Sequence, residues 1–398
     1  MTTRRWVGLL CAAMTATAFA GRVAGAQEVS LEKIQIHGYG GWSFGRTTDN
    51  RNTNFFLFAH SRGDYFHNEF ALNVTAPLNE NLTIVAQPFW HSGHHANQTS
   101  SGLDYVFGEW KFADQIKLRV GNVKQPFGIY TEIFDVGTLR PFATAPQSIY
   151  GPGGMIGKSY SGMGLTGALF AERSWGIDYD VYGGGLETLE EDTPLQVLVQ
   201  GTDTLGTGKA LNLNGSRTFR DVIGGRLVFR TPLEGFSFGG SSYSGTRPLT
   251  RRGQAKDWRR TTSGVHAEYM SDAWLLRSEI ARESDETNFK ATGAYGEAAY
   301  RLTYHWQVAG TYGTYYTTLE NVSATNIALA PSLLDHKETA AGLNYWFSPN
   351  FVLKTSYSHV DGNRFSHPDP TTRLRALSTG GKLMTTTDAL LVSGHLSF

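Results

Sequence analysis

Leu390-Leu391-Val392-Ser393-Gly394-His395-Leu396-Ser397-Phe398 closes the chain and repeats with a period of two. Leu390, Val392, Gly394, Leu396 and Phe398 share one face, and Leu391, Ser393, His395 and Ser397 share the other. Successive side chains of a strand point to opposite faces, so this stretch is a strand with one strongly apolar surface. Upstream, Trp306, Val308, Gly310 and Tyr312 alternate in the same way with His305, Gln307, Ala309 and Thr311.

The pattern recurs along the chain. Alternating segments fall at 33–44, 64–76, 82–92, 102–112, 116–124, 158–170, 174–184, 220–231, 236–245, 261–270, 273–283, 289–301, 304–316, 337–347, 350–361 and 386–398. Short links such as Pro77-Leu78-Asn79-Glu80-Asn81, Ala113-Asp114-Gln115 and Ser348-Pro349 take turns with long ones near 45–63, 93–101, 125–157, 185–219, 246–260, 284–288, 317–336 and 362–385. Segments of about ten alternating residues with short turns at one end and long loops at the other are the signature of a transmembrane antiparallel β-barrel, here all-β with 16 strands. A soluble β-sandwich shares the alternation, but it has no reason to keep its connections so regularly unequal. An even strand count puts both ends of the barrel on the periplasmic side, in keeping with an aromatic, Phe398, at the end of the last strand.

Composition agrees. Of 398 residues, 46 are Gly, 9 Trp, 18 Tyr and 23 Phe, and only 18% are charged, below the usual quarter. Lys and Arg (35) balance Asp and Glu (35), which excludes the basic excess expected of a nucleic-acid binder. A mean hydropathy of -0.29 excludes a helical membrane protein.

The first residues read as a secretory signal peptide. Arg4 and Arg5 precede a largely apolar run, Trp6 to Ala20, and Ala24-Gly25-Ala26 offers a small-residue cleavage site. The run is shorter than the roughly 20 apolar residues of a membrane-spanning helix. Leu10 before Cys11 stands where lipoprotein processing wants a small residue. The division is therefore 1–26 signal peptide and 27–398 one outer-membrane barrel domain. The mature chain has no cysteine, so stability rests on the closed sheet.

A barrel of this size leaves an aqueous interior. Assigning the more apolar parity of each strand to lipid turns Glu69, Glu109, Asp178, Asp180, Glu268, Glu279 and Glu297 inward. Lys111, Lys117, Arg119, Arg226, Arg230, Arg277, Arg301 and Lys354 turn inward with them. Arg or Lys at the lipid-facing midplane costs about 2–4 kcal/mol, so this many strand charges require a wet interior. Lys117, Arg119, Arg226 and Arg230 make a basic stretch of wall; Glu268, Glu279 and Glu297 make an acidic one, interrupted by Arg277 and Arg301. The long connection 125–157 carries Phe127, Tyr130, Ile133, Phe134, Phe142, Ile149 and Tyr150. So apolar a loop needs burial, and the lumen is the place available. Its charges Glu132, Asp135 and Arg140 would then border the permeating ion.

Together these features resemble the Gram-negative outer-membrane porins, whose third loop folds inward as a constriction. Gly121-Asn122-Val123-Lys124-Gln125-Pro126-Phe127-Gly128 is similar to the G-x-x-K-x-P-F-G strand end of porins related to the phosphate-selective group. The Pro-Glu-Phe-Gly-Gly element of general porins is absent, as is a dense ladder of basic residues, so phosphate specificity does not carry over. The resemblance implies an outer-membrane protein, in contact with lipid and lipopolysaccharide, that passes small hydrophilic solutes and ions, with a homotrimer as its assembly and no cofactor.

Other motifs lead elsewhere less convincingly. His91-Ser92-Gly93-His94-His95 has metal-like spacing without a neighbouring carboxylate and reads as a solvated loop. Gly162-Met163-Gly164-Leu165-Thr166-Gly167 lies on a strand, not before a helix, which removes the dinucleotide reading. Glu187, Glu190, Glu191 and Asp192 read as a solvated acidic run, with a bound divalent ion as the lesser alternative. Two different functions stay open: a barrel enzyme of lipase or protease type, for which no nucleophile motif stands out, and a closed structural or adhesion barrel.

Overall fold

The computed structural model describes residues 33–48, 53–55, 63–93, 99–151, 154–170, 174–187, 218–251, 254–286, 289–319, 332, 334–368 and 384–398. The leader 1–26 and most of the acidic run lie outside the described residues, as do His94 and His95.

Among the described residues sixteen strands close into one antiparallel barrel. They are β1 (Gln35–Thr47), β2 (Asp64–Pro77), β3 (Leu82–Gly93), β4 (Thr99–Ala113), β5 (Ile116–Lys124), β6 (Ser159–Leu169), β7 (Gly176–Glu187) and β8 (Thr218–Arg230). β9 (Phe236–Arg251), β10 (Gln254–Met270), β11 (Trp274–Asp285), β12 (Phe289–Arg301), β13 (Trp306–Leu319), β14 (His336–Ser348), β15 (Phe351–Asp361) and β16 (Thr386–Ser397) complete the ring. Each pairs with its neighbours in sequence, and β1 meets β16 in register from Tyr39↔Ser397 to Thr47↔Ala389. Gly38 and Phe398 exchange both backbone hydrogen bonds at 2.9 Å, and the Phe398 ring stacks on Phe70 of β2. Closure matters because an unpaired strand edge cannot be left in hydrocarbon.

The two faces separate as the alternation requires. Ile36, Trp42, Phe70, Trp90, Trp110, Val265, Trp274, Leu390 and Leu396 stand exposed on the outside. On the same strands Ser43, Thr262, Arg277, Glu279, Ser393 and His395 take the opposite parity and are buried on the inside. A largely apolar exterior around a charged interior is the surface of a membrane-spanning barrel, not of a sandwich with a dry core.

The largest departure from the sequence expectation concerns 246–260, expected as a long loop. Instead β9 and β10 stay paired to Arg251↔Gln254. β10 alone has 17 residues. At about 3.3 Å per residue it outreaches the ~25 Å apolar band, so its far end is free of the alternation that lipid imposes. Similarly, Thr53–Phe55 pairs with Ser366–Pro368 across the long-loop end, tying the first and last outer connections together.

Candidate pore constriction

Segment 125–157 joins β5 to β6, and its hydrogen bonds fix where it runs. Gln125, fully buried, donates its amide to the Tyr182 hydroxyl of β7 at 2.8 Å and accepts from Gly157 N–H at 2.8 Å. One side chain thus holds both limbs of the segment. Gly128 turns at φ +60, and a Cβ there would collide with Tyr150 and Glu279. Only glycine makes that turn at so close an approach.

The contacts then travel round the wall. Gly128 N–H bonds Ser241 of β9 at 3.0 Å, and Tyr243 of β9 donates to the Met155 carbonyl at 2.5 Å. Ile129 N–H and the Tyr150 hydroxyl both donate to the Glu279 carboxylate of β11, at 2.5 and 2.7 Å. Tyr130 donates to Glu297 of β12 and accepts from Arg277 of β11 at 3.0 Å. Asn344 of β14 donates to the Pro141 carbonyl at 2.9 Å. The Lys354 ammonium of β15 is held by the carbonyls of Gly137 at 2.5 Å, Phe142 at 3.4 Å, and Arg140. Thr138 reaches Ser397 of β16 at 3.1 Å. A chain that touches strands from β7 to β16 of one closed ring can only lie inside it. Phe127, Tyr130, Ile149 and Tyr150 form a buried cluster with Tyr243, Tyr295 and Tyr315 of the wall, which gives the segment's aromatics the burial that their composition demanded.

A charge cluster secures its base. Lys124 bridges Asp104, at 2.9 Å, and Asp135, and Lys158 bridges Asp104 at 2.5 Å. Burial opposes the Asp135 charge, but the ammonium groups of Lys124 and Lys158 hold its carboxyl well below the usual carboxylate range. Burial, with the Glu297 carboxylate beside it, pushes the Tyr130 phenol well above its ordinary value.

The charged positions singled out from sequence all occupy inner-face parity or the segment itself, and the wall pairs its bases with acids. Lys117 and Arg119 both meet Glu109, at 3.7 and 2.8 Å; Arg230 meets Asp178 at 2.9 Å. Arg226 meets Asp180 at 3.0 Å and Glu132 of the segment at 2.9 Å. Glu268 meets Arg277 at 2.5 Å. Glu279 and Glu297 face the segment's tyrosines, as above. The Arg140 guanidinium is buried and lies over the Phe134 ring at 5.9 Å. The structure brings Glu132, Asp135, Arg140, Arg226, Glu279 and Glu297 together around the segment, while among the described residues Lys117, Arg119, Arg230 and Glu268 do not bond to it.

Asp104, Lys158, Asn344 and Glu338 were not found by reading alternation. Asp104 escaped because a bulge opposite Pro88 shifts the register between Gln87 and Pro88, so that strand parity changes there. A proline inside a strand is the available signal for such a bulge.

Between the segment and the β12–β16 wall a narrow cleft remains. Its polar lining includes Thr144, Gln147 and Ser148 from the segment and Glu297, Thr311 and Glu338 from the wall.

No family model matches the sequence, and no curated protein matches it. Solved structures do match. The outer membrane channel DcaP of Acinetobacter baumannii aligns over 94% of this chain and 100% of its own, with a TM-score of 0.59 at 10% identity. Salmonella typhi OmpF, in a complex with daunomycin, aligns over 92% and 97%, with a TM-score of 0.58 at 14% identity. The anion-selective porin from Comamonas acidovorans aligns over 92% and 99%, with a TM-score of 0.55 at 10% identity. The fold is porin-like. It is that of a multi-pass barrel of the outer-membrane type, and at these identities the likeness speaks for architecture alone.

Proposed function

We propose that the chain is a passive diffusion channel for small hydrophilic solutes and ions, with 125–157 as its constriction. The observation that carries this reading is the segment's course: it crosses the lumen, bonded to the wall on several sides, and leaves a narrow cleft beside it. Passage then needs no reaction. Solutes are sorted by width and by the field of the groups they pass, against which ions trade their hydration. No catalytic residue and no cofactor belong to the proposal, in place of a barrel lipase or protease. Export through cleavage after Ala26, contact with lipopolysaccharide and assembly as a homotrimer are parts of it drawn from the sequence. Phosphate selection is not, because the eight-residue likeness at 121–128 supplies no basic lining for an oxyanion.

Purified protein added to a planar lipid bilayer should give discrete conductance steps. A correctly folded, heat-modifiable barrel that stays silent would overturn the channel reading in favour of a closed structural barrel or an enzyme. Mass spectrometry of the mature chain should begin at Gln27, and mild cross-linking should trap three copies.

A further inference from the structure

Long connections of a barrel normally run over its surface, where water satisfies their backbone. The stretch 362–366, which follows β15, does not. All five residues are buried, Asn363 and Ser366 fully so, and Phe365 is 3% exposed. Its backbone is paired instead. Gly362 N–H donates to the Thr385 carbonyl at 2.7 Å, Asn363 N–H to that of Ser332 at 2.5 Å, and Arg364 N–H to that of Asp335 at 3.2 Å. The Asn363 side-chain amide donates to the Ser366 and Met384 carbonyls at 3.1 and 2.9 Å. One residue past Phe365, the pairing of Ser366–Pro368 with Thr53–Phe55 begins. Phe365 is thus carried by a stretch that neighbouring connections hold on both sides of it.

Its ring lies on the inserted segment. It meets Tyr315 of β13 and His336 of β14 edge-on, at centroid distances of 5.2 and 5.1 Å, and it belongs to the buried cluster of Ile149, Tyr150 and Tyr315. A Cβ on Gly151 would stand 2.8 Å from that ring, so ring and segment meet where the helical turn Gln147–Tyr150 ends. Within the turn, Ser148 rests on bare wall. Cβ atoms on Gly293 of β12 and Gly313 of β13 would fall 2.0 Å from its carbonyl oxygen and 3.1 Å from its hydroxyl. Glycine lets the turn come this close but has no side chain to hold it there. Phe365 supplies an apolar contact at the end of the turn.

We propose that the stretch after β15 is a latch on the constriction, in which Phe365 is the positioning residue that keeps the turn Gln147–Tyr150 on β12 and β13. The width beside the segment is then set by two connections, the inserted one and the one that holds it down. This inference rests on 125–157 as the constriction of the proposed channel and names what fixes its second half.

Residues 27–398 contain no cysteine, so Ser148→Cys gives the folded barrel a single thiol. Ser148 is 2% exposed, and the thiol should react slowly with a small methanethiosulfonate reagent. Adding Phe365→Ala should speed labelling at least about tenfold, because a buried thiol reacts through the locally open state and truncating a buried Phe is among the larger core losses. Phe365→Leu, which refills most of the space, should label close to the parent rate. Asn363→Ala, which cuts the stretch from the Ser366 and Met384 carbonyls, should speed labelling as well. Ser393→Cys, fully buried on β16, should keep its rate with or without Phe365→Ala, since only a general loosening would move it. In a planar bilayer Phe365→Ala with Ser148 intact should give a noisier current. Heat-modifiable gel migration shows that each barrel is folded. A Ser148→Cys rate that neither Phe365→Ala nor Asn363→Ala moves, or a Ser393→Cys rate that rises equally, would overturn the latch. Silence of folded wild type in the bilayer would overturn the channel reading, while the labelling rates, read without current, still decide the latch.

Discussion

Two stretches of the same inner wall carry the same residue types and use them differently. At Lys117, Arg119, Glu109, Asp178 and Arg230, charges pair along the wall and remain partly open to water; Arg230 and Asp178 are 45% and 42% exposed. On β11, β12 and β15, Glu279, Glu297, Arg277 and Lys354 are all buried, and they bond to the inserted segment. Parity alone makes these two sets alike. Burial separates them, because an exposed pair is worth little while a buried charge that loses its partner is expensive. The inner wall therefore divides into charges that shape a local field and charges that hold a structure.

The largest effect should come from Lys354→Met, which keeps much of the side-chain volume and removes the ammonium. It takes the ammonium from the Arg140 and Phe142 carbonyls, at about 1–3 kcal/mol for each buried acceptor left unsatisfied, and leaves the Gly137 carbonyl with the Arg140 N–H alone. The 137–142 stretch should loosen, become cleavable by protease in the folded barrel, and give a noisier, larger conductance. Resistance and conductance at wild-type levels would erase the distinction between the two sets of charges.

Acid gives a second contrast. The folded Asp135 carboxyl lies below its ordinary value of 3.8. Such a group contributes stability that is fully present above the unfolded value and is lost as pH falls toward the folded one. The base of the segment should thus stay anchored at pH 5 and weaken only below about pH 4. In a channel recording the change would show as rising noise on acidification, absent in Asp135→Asn, which should be noisy throughout. Onset near neutral pH would mean that Asp135 is not held by Lys124 and Lys158.

How much of this was legible from residues follows the same division. Alternation depends on neighbours two apart, so the strand positions, the lipid face and the inward parity of the charges could be read directly. The aromatic content of 125–157 pointed inward because Phe127, Tyr130, Ile149 and Tyr150 need a dry environment. Its partners could not be read: Lys354 and Gly137 are 217 residues apart in sequence, and only closure of the ring brings them together. Asp104 was hidden by one bulge, and the far part of the β9–β10 hairpin by the loss of alternation beyond the lipid. The cleft beside the segment was least visible of all, since Thr144, Gln147, Ser148, Ser356 and Ser358 carry no motif and become a lining only through placement.

Glu132 lies between the two classes. It is 44% exposed yet bonded across the lumen to Arg226, which keeps Asp180 as a second partner. Glu132→Gln should cost less than about 1 kcal/mol, because solvent screens the lost pair and Arg226 remains compensated. The segment should stay protease-resistant. Cleavage comparable to that of Lys354→Met would move Glu132 into the holding class.

Arg230→Ala should do least. Its pair with Asp178, at 2.9 Å, is nearly half open to water, so its loss should lie within about 0.5 kcal/mol of no effect on unfolding. Arg230 makes no contact with the segment among the described residues, and its removal leaves the space beside the segment unchanged in width. Single-channel conductance at 1 M salt should therefore match wild type. At low salt the freed Asp178 adds a negative charge to the lumen, and the reversal potential should shift slightly toward K⁺ permeation. That shift should vanish as salt shortens the field from roughly 30 Å at 0.01 M to about 3 Å at 1 M. A shift that survives at 1 M would place Asp178 at contact distance from the permeating ion, and the narrowest part of the path would then lie along Arg230 and Asp178, not at the inserted segment.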